Sequence, residues 1–111
     1  MGAVVSKEPD GVVVLDCTNI TSINPNPDLV RKMRASYYIM GALLSRFHKA
    51  SVALPGGCNF ASRPIDQHIK GFEMLGAAVD ETEEYVALEP GEEGLHGNRI
   101  CLDMASVGAT V

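Results

Sequence analysis

A cysteine and an arginine lie close together in the glycine-containing stretch "LPGGCNFASRPID", residues 54–66. Cys58 follows two glycines, and Arg63 and Pro64 come directly before an amphipathic segment. If Pro64 begins a helix, the free N–H groups at that end and the charge of Arg63 favour the thiolate over the thiol. The pattern favours a reactive cysteine, and an unreactive loop cysteine is the alternative.

The other cysteines and the histidines limit the chemistry that Cys58 could do. No histidine has a fixed position near it, so a cysteine–histidine hydrolase is not supported. Cys17 and Cys101 lie far from Cys58 in the sequence, so no second cysteine is placed to support a thiol-redox role. Both lie in apolar runs, where we expect them to be shielded from solvent. The spacings of the three cysteines and three histidines match no zinc-ligand pattern, so we predict no metal site.

The composition is that of one small folded domain. The chain has 111 residues, of which 46% are apolar and 21% are charged. A net charge of -5 and the absence of a basic stripe argue against a nucleic-acid partner. No run approaches the roughly 20 apolar residues that cross a bilayer, and no secretory signal is visible. We therefore expect no membrane association and a reduced, cytoplasmic setting.

Turn and cap residues predict the elements before the cysteine loop. A Pro-Asp-Gly turn joins "VVS" to "GVVVLDC" and predicts a hairpin. Asn26 and Pro27 indicate a helix start, and apolar steps of three and four extend this helix to about His48. Its apolar stripe comprises Leu29, Met33, Tyr37, Met40, Leu44 and Phe47.

The elements after this helix complete an α/β (α+β) pattern. "ASVALP" predicts a buried strand, and a second helix runs from Pro64 to about Gly76. "EYVALE" and "RICLDM" predict two more strands, and "SVGATV" begins another helix. A faint repeat relates "MGAVVS…GVVVLDC" to "LGAAVDE…RICLDM". We therefore expect residues 1–111 to form a single partial domain, with one β-α-β-α-β-β unit and the strands of a preceding unit.

Three motifs, "VRKMRAS", "LPGGC…RPIDQHIKGFEMLGA" and "SVGATV", resemble those of the UDP-N-acetylglucosamine enolpyruvyl transferases in order and spacing. The resemblance covers nearly the whole chain and implies an inside-out α/β barrel. It implies a transferase of peptidoglycan synthesis that moves the enolpyruvyl group of phosphoenolpyruvate to the 3-hydroxyl of UDP-N-acetylglucosamine. It implies no cofactor or metal, because arginines and helix ends handle the charge.

The resemblance also implies roles for individual residues. Cys58 matches a general acid that is alkylated by fosfomycin. Arg63 matches an arginine that neutralises phosphoenolpyruvate, and Arg34 matches an arginine that binds substrate at the domain cleft. Asp66 could instead serve only the helix dipole, and Arg34 could be a solvated helix residue. The substrate-binding candidates are Arg34, Arg63, Pro64, Ile65, Asp66, Gln67, Met104, Ala105, Ser106 and Val107.

The chain departs from the family pattern at several positions. Met104 stands where the family commonly has lysine, and Gln67 where leucine is more usual. An N-terminal Lys-Asn pair and the second domain with its catalytic aspartate are absent, so we expect no turnover by this chain alone. The alternative is a non-catalytic remnant or binding module for an anionic ligand or a partner chain. We also expect a homodimer through an exposed face of the first helix.

Overall fold

The computed structural model describes residues 1–33, 35–54 and 65–110. Cys58, Arg63, Pro64 and Arg34 lie outside the described residues. The described chain is a mixed α/β structure with two small sheets, which confirms the predicted α/β class. Its elements are β1 (Val4–Lys7), β2 (Val13–Asp16), α1 (Pro27–Lys32), α2 (Tyr38–Phe47), β3 (Ala50–Ala53), α3 (Asp66–Met74), β4 (Ala77–Glu81), β5 (Tyr85–Pro90) and α4 (Val107–Thr110).

The predicted N-terminal hairpin is confirmed. β1 and β2 pair antiparallel, with Val5 opposite Leu15. The Glu8 N–H donates to the Val12 carbonyl at 2.8 Å, and Gly11 adopts a φ of 89° that suits glycine in the turn. Every residue of the two strands is exposed, so the hairpin contributes little to the core.

The single long helix predicted from Pro27 to His48 is wrong, because the chain forms α1 and α2 instead. Asn26 caps α1 as expected, and its Oδ1 accepts the Asp28 N–H at 2.9 Å. The helix ends at Met33, whose backbone is extended (φ -107°, ψ 121°). An unbroken helix to His48 would be about 33 Å long and would run past the four-residue β3. The break allows both helices to contact β3.

The helix break also changes which side chains of the predicted stripe are buried. Tyr37, Met40 and Leu44 lie in the core, whereas Leu29 and Met33 are 60% and 57% exposed. The expectation of one continuous exposed face for a homodimer is therefore wrong for the α2 half of the stripe.

The core lies between α2 and a three-stranded antiparallel sheet in the order β3-β5-β4. Ala50 and Val52 of β3 are buried, as "ASVALP" predicts, and Val86 and Leu88 of the central strand β5 pack with them. α3 begins at Asp66, and Ile65 before it is buried. The strand predicted at "EYVALE" is confirmed as β5.

The strand predicted at "RICLDM" is wrong. Residues 99–104 have no strand hydrogen bonding, and β4 pairs with β5 instead. β5 is already paired on both edges, so the segment that follows it runs beside the end of α3. There the His96 N–H donates to the Leu75 carbonyl at 2.9 Å, and Asn98 Nδ2 donates to the Met74 carbonyl at 2.8 Å. The short helix predicted from "SVGATV" is confirmed as α4.

Candidate functional site

The first turn of α3 meets the segment that precedes α4 at a buried glutamine. Gln67 is only 7% exposed. Its Nε2 donates to Asp66 Oδ2 at 3.0 Å and to Asp103 Oδ2 at 3.2 Å, and its Oε1 accepts the Asp103 N–H at 2.9 Å. A buried amide without partners would be costly, and this one uses both of its ends. The side chain therefore joins two segments that are 36 positions apart in sequence.

A lysine on the next turn of α3 reinforces this junction. Lys70 Nζ lies 2.5 Å from Asp103 Oδ1. The hydrogen bonds from Lys70 and Gln67, together with the lysine charge, lower the pKa of Asp103. Because the Asp103 side chain is largely exposed, solvent weakens this pair, and the buried glutamine is the stronger link.

The remaining described candidates surround the start of α4. Ser106 Oγ accepts the Ala109 N–H at 3.3 Å, which gives the short helix a side-chain cap. Met104 and Val107 are 63% and 82% exposed, and Ala105 is exposed too. The structure thus brings Asp66 and Gln67 beside the 103–107 segment, and it leaves exposed surface on that segment. The other candidates lie outside the described residues: Arg34, Cys58, Arg63 and Pro64.

The charges of the described part of this site do not favour an anion. Asp66 and Asp103 contribute two negative charges, and Lys70 contributes one positive charge that is already paired with Asp103. A diphosphate at this position would need further cations, and the predicted ones are Arg34 and Arg63. Among the residues that the structure describes, no group of three histidine, cysteine or acidic residues could hold a metal ion.

Next to this site, His68, Tyr37 and Gly108 form a cluster that was not predicted from the sequence. His68 lies edge-on to Tyr37, with ring centroids 4.7 Å apart. Both ring nitrogens are shielded from solvent. Burial lowers the pKa of His68, and the Gly108 backbone and the Asp66 charge oppose the shift. The signal was its spacing, because His68 follows Ile65 by three residues and shares the apolar face of α3.

Gly108 of α4 closes this cluster. A Cβ at that position would lie 2.9 Å from the Tyr37 hydroxyl oxygen and 3.2 Å from His68 Nε2. The close approach of α4 to α2 and α3 therefore requires glycine. A cavity of about 430 Å³ lies beside the cluster, and its lining is mostly apolar. It includes Tyr37, Gly41, His68, Gly71, Phe72 and Ile100.

The expected shielding of Cys17 and Cys101 is wrong, since both are exposed free thiols. Cys17 follows the exposed strand β2, and Cys101 lies in the segment that forms no strand. No helix within the described ranges is long and apolar enough to cross a membrane.

Comparison with known proteins gives a consistent family. A family model described as EPSP synthase (3-phosphoshikimate 1-carboxyvinyltransferase) matches residues 1–111. UDP-N-acetylglucosamine 1-carboxyvinyltransferase 2 of Lactiplantibacillus plantarum is 54% identical over 100 residues, covering 90% of this chain and 24% of the relative. UDP-N-acetylglucosamine 1-carboxyvinyltransferase of Clostridium botulinum is 50% identical over 111 residues, covering 100% of this chain and 26% of the relative.

A third relative agrees with these two. UDP-N-acetylglucosamine 1-carboxyvinyltransferase 2 of Geobacillus kaustophilus is 56% identical over 98 residues, covering 88% of this chain and 22% of the relative. The chain therefore spans about a quarter of the length of the curated relatives that it matches.

Proposed function

Because the chain belongs to the EPSP synthase family, we propose that it forms part of an enolpyruvyl transferase of peptidoglycan synthesis. The enzyme would move the enolpyruvyl group of phosphoenolpyruvate to the 3-hydroxyl of UDP-N-acetylglucosamine in the cytoplasm. The observation that carries this proposal is the 50–56% identity to three proteins that share the name of that transferase. The fold proposed for the whole protein is the inside-out α/β barrel.

The proposed place of the sugar nucleotide is beside the backbone at the start of α3, residues 65–67, and beside residues 104–107. Support comes from the hydrogen bonds between Gln67 and Asp103, which hold these two segments side by side. The 65–67 segment begins α3, so its first backbone N–H groups have no intrahelical partner and can meet phosphate or uracil oxygens. Arg63, Pro64 and Arg34 complete the proposed site from outside the described residues.

In the proposed reaction, the sugar hydroxyl loses its proton to a carboxylate base and its oxygen bonds to C2 of phosphoenolpyruvate, while a proton is added to the C3 methylene. Loss of phosphate from C2 and of a proton from C3 then restores the double bond. Cys58 is proposed as the acid that protonates C3 and as the nucleophile that fosfomycin would alkylate. Arg63 and Arg34 would stabilise the charge on the phosphate and carboxylate groups.

A charge substitution at Met104 tests the proposed position of the diphosphate. We expect the 111-residue chain to bind UDP-N-acetylglucosamine weakly, in the millimolar range, as measured by a titration at low salt. Met104→Lys should tighten binding several-fold, because it adds a cation beside the diphosphate, and salt should reduce this gain. The control Glu92→Lys makes a larger charge change at an exposed position in the turn after β5. Equal gains in both variants, or no binding at all, would contradict the proposal.

A further inference from the structure

We infer that Gln67 is a positioning residue that holds the two halves of the proposed sugar-nucleotide site at a fixed spacing. The inference rests on the proposed function, because it concerns how that site is assembled. The two halves are the first turn of α3 and the 103–107 segment before α4. Gln67 would act on the ligand through this segment, beyond any contact that its own backbone makes.

The hydrogen bonding of Gln67 is specific to an amide. The side chain donates to two carboxylates and accepts one backbone N–H within 3.2 Å. Leucine could do neither. Glutamate could accept the N–H, but it would place a third negative charge beside Asp66 and Asp103. Only a side chain that is both donor and acceptor satisfies all three partners.

The position of Asp103 explains why this junction matters for ligand binding. Asp103 directly precedes Met104 and lies three residues before Ser106, which caps α4. Residues 99–104 have no sheet partner that would otherwise hold them. Loss of the Gln67 junction would therefore let the 103–107 segment move relative to Asp66, and a ligand that contacts both segments would have to restore their spacing when it binds.

The test compares affinities for UDP-N-acetylglucosamine in a set of matched variants of the 111-residue chain. Gln67→Met keeps the approximate length and volume of the side chain but removes the amide. Asp103→Ala removes the carboxylate that Gln67 Nε2 contacts and leaves the packing of α3 unchanged, so it gives an answer even if Gln67→Met does not fold. It keeps the backbone N–H bond to Gln67 Oε1. Because it also removes a negative charge near the proposed diphosphate, it is compared with the wild type at a salt concentration that screens this charge. Ile69→Val is the control for stability, because it removes a methyl group from the same helix without touching Asp103.

We expect Gln67→Met to weaken binding about tenfold, the equivalent of one or two net hydrogen bonds. Asp103→Ala should weaken it less, because one of the two hydrogen bonds between residues 67 and 103 remains. The double variant should be no weaker than Gln67→Met alone, because both substitutions act on one junction. Ile69→Val should lower the unfolding midpoint without changing the affinity. A purely structural role for Gln67 would give the Ile69→Val pattern instead.

Three results separate failure of the inference from failure of the proposed function. If the wild-type chain binds and Gln67→Met or Asp103→Ala binds equally well, the positioning role is wrong and the proposed function stands. Additive effects in the double variant would also overturn the positioning role. If the wild-type chain does not bind UDP-N-acetylglucosamine, the proposed function fails and the inference fails with it.

Discussion

The rings of His68 and Tyr37 meet in a T-shaped arrangement at a centroid distance of 4.7 Å, and both imidazole nitrogens are buried. This contact joins the start of α2 to α3, and Gly108 of α4 closes it from the third side. It contains a histidine whose pKa is lowered by burial, and it lies one residue from Gln67. The aromatic contact and the Gln67 junction are therefore neighbours on α3.

The first prediction concerns the pH dependence of stability. Burial lowers the pKa of His68 below its usual 6.5. As the pH falls through 6.5, the unfolded chain therefore binds more protons at this position than the folded chain does, and the free energy of unfolding decreases. His68→Phe should flatten this decrease, as measured by urea unfolding between neutral and mildly acidic pH. His96→Phe, at an exposed position, is the matched control. An unchanged pH slope in His68→Phe would contradict the assignment.

The second prediction compares two glycines that face the same cavity. Gly108→Ala would place a methyl group 2.9 Å from the Tyr37 hydroxyl oxygen. We expect it to destabilise the chain by about 1–3 kcal/mol through overpacking. Gly71→Ala, inside α3, has no neighbouring heavy atom within 4 Å of the added Cβ. It should stabilise the helix by up to about 1 kcal/mol. Thermal unfolding measures both, and effects of the same sign would contradict the proposed packing of α4.

The third prediction concerns self-association through the hairpin. Val5, Val13 and Leu15 lie on one face of the β1–β2 pair and are 62%, 55% and 63% exposed. Burying such side chains contributes about 1.5–3 kcal/mol each, so we expect concentration-dependent association. Leu15→Lys should reduce it in light scattering across a dilution series. Val14→Lys, on the opposite face, should have less effect, and a wild-type monomer at every concentration would contradict the prediction.

The fourth prediction concerns the three thiols. Cys17 and Cys101 are exposed, so accessibility alone does not favour alkylation of Cys58 over them. We still expect Cys58 to react fastest with iodoacetamide at neutral pH, because Arg63 and a helix start would stabilise its thiolate. Site-resolved mass spectrometry measures the three rates. Arg63→Met should slow Cys58 alone, and equal rates for all three cysteines in the wild type would contradict the electrostatic argument.

Local signals in the sequence predicted several elements correctly. The Pro-Asp-Gly turn predicted the hairpin, Asn26 the start of α1, and a short apolar run the buried strand β3. These features depend on residues that are near each other in the chain, and such interactions can be read from spacing. The start of α4 was likewise predicted from neighbouring residues, in the stretch "SVGATV".

The failures arose where distant residues decide the structure. The apolar spacing continues through Met33 and Tyr37, so it gave no sign that the helix breaks to let α1 and α2 both contact β3. "RICLDM" has the composition of a strand, but β5 had no free edge left to pair with it. The role of the Gln67 side chain was missed for the same reason, since its partner Asp103 lies 36 residues away.

The most direct test of the proposed function is to map where UDP-N-acetylglucosamine binds. In an NMR titration of the ¹⁵N-labelled chain, we predict amide shifts at Asp66 and Gln67 and at Ser106 and Val107. The two segments should saturate together with one dissociation constant, because one ligand bridges them. N-acetylglucosamine, which lacks the uridine diphosphate, should leave these amides unchanged. Shifts confined to one segment, shifts on the β4–β5 surface instead, or no shifts at all would contradict the account.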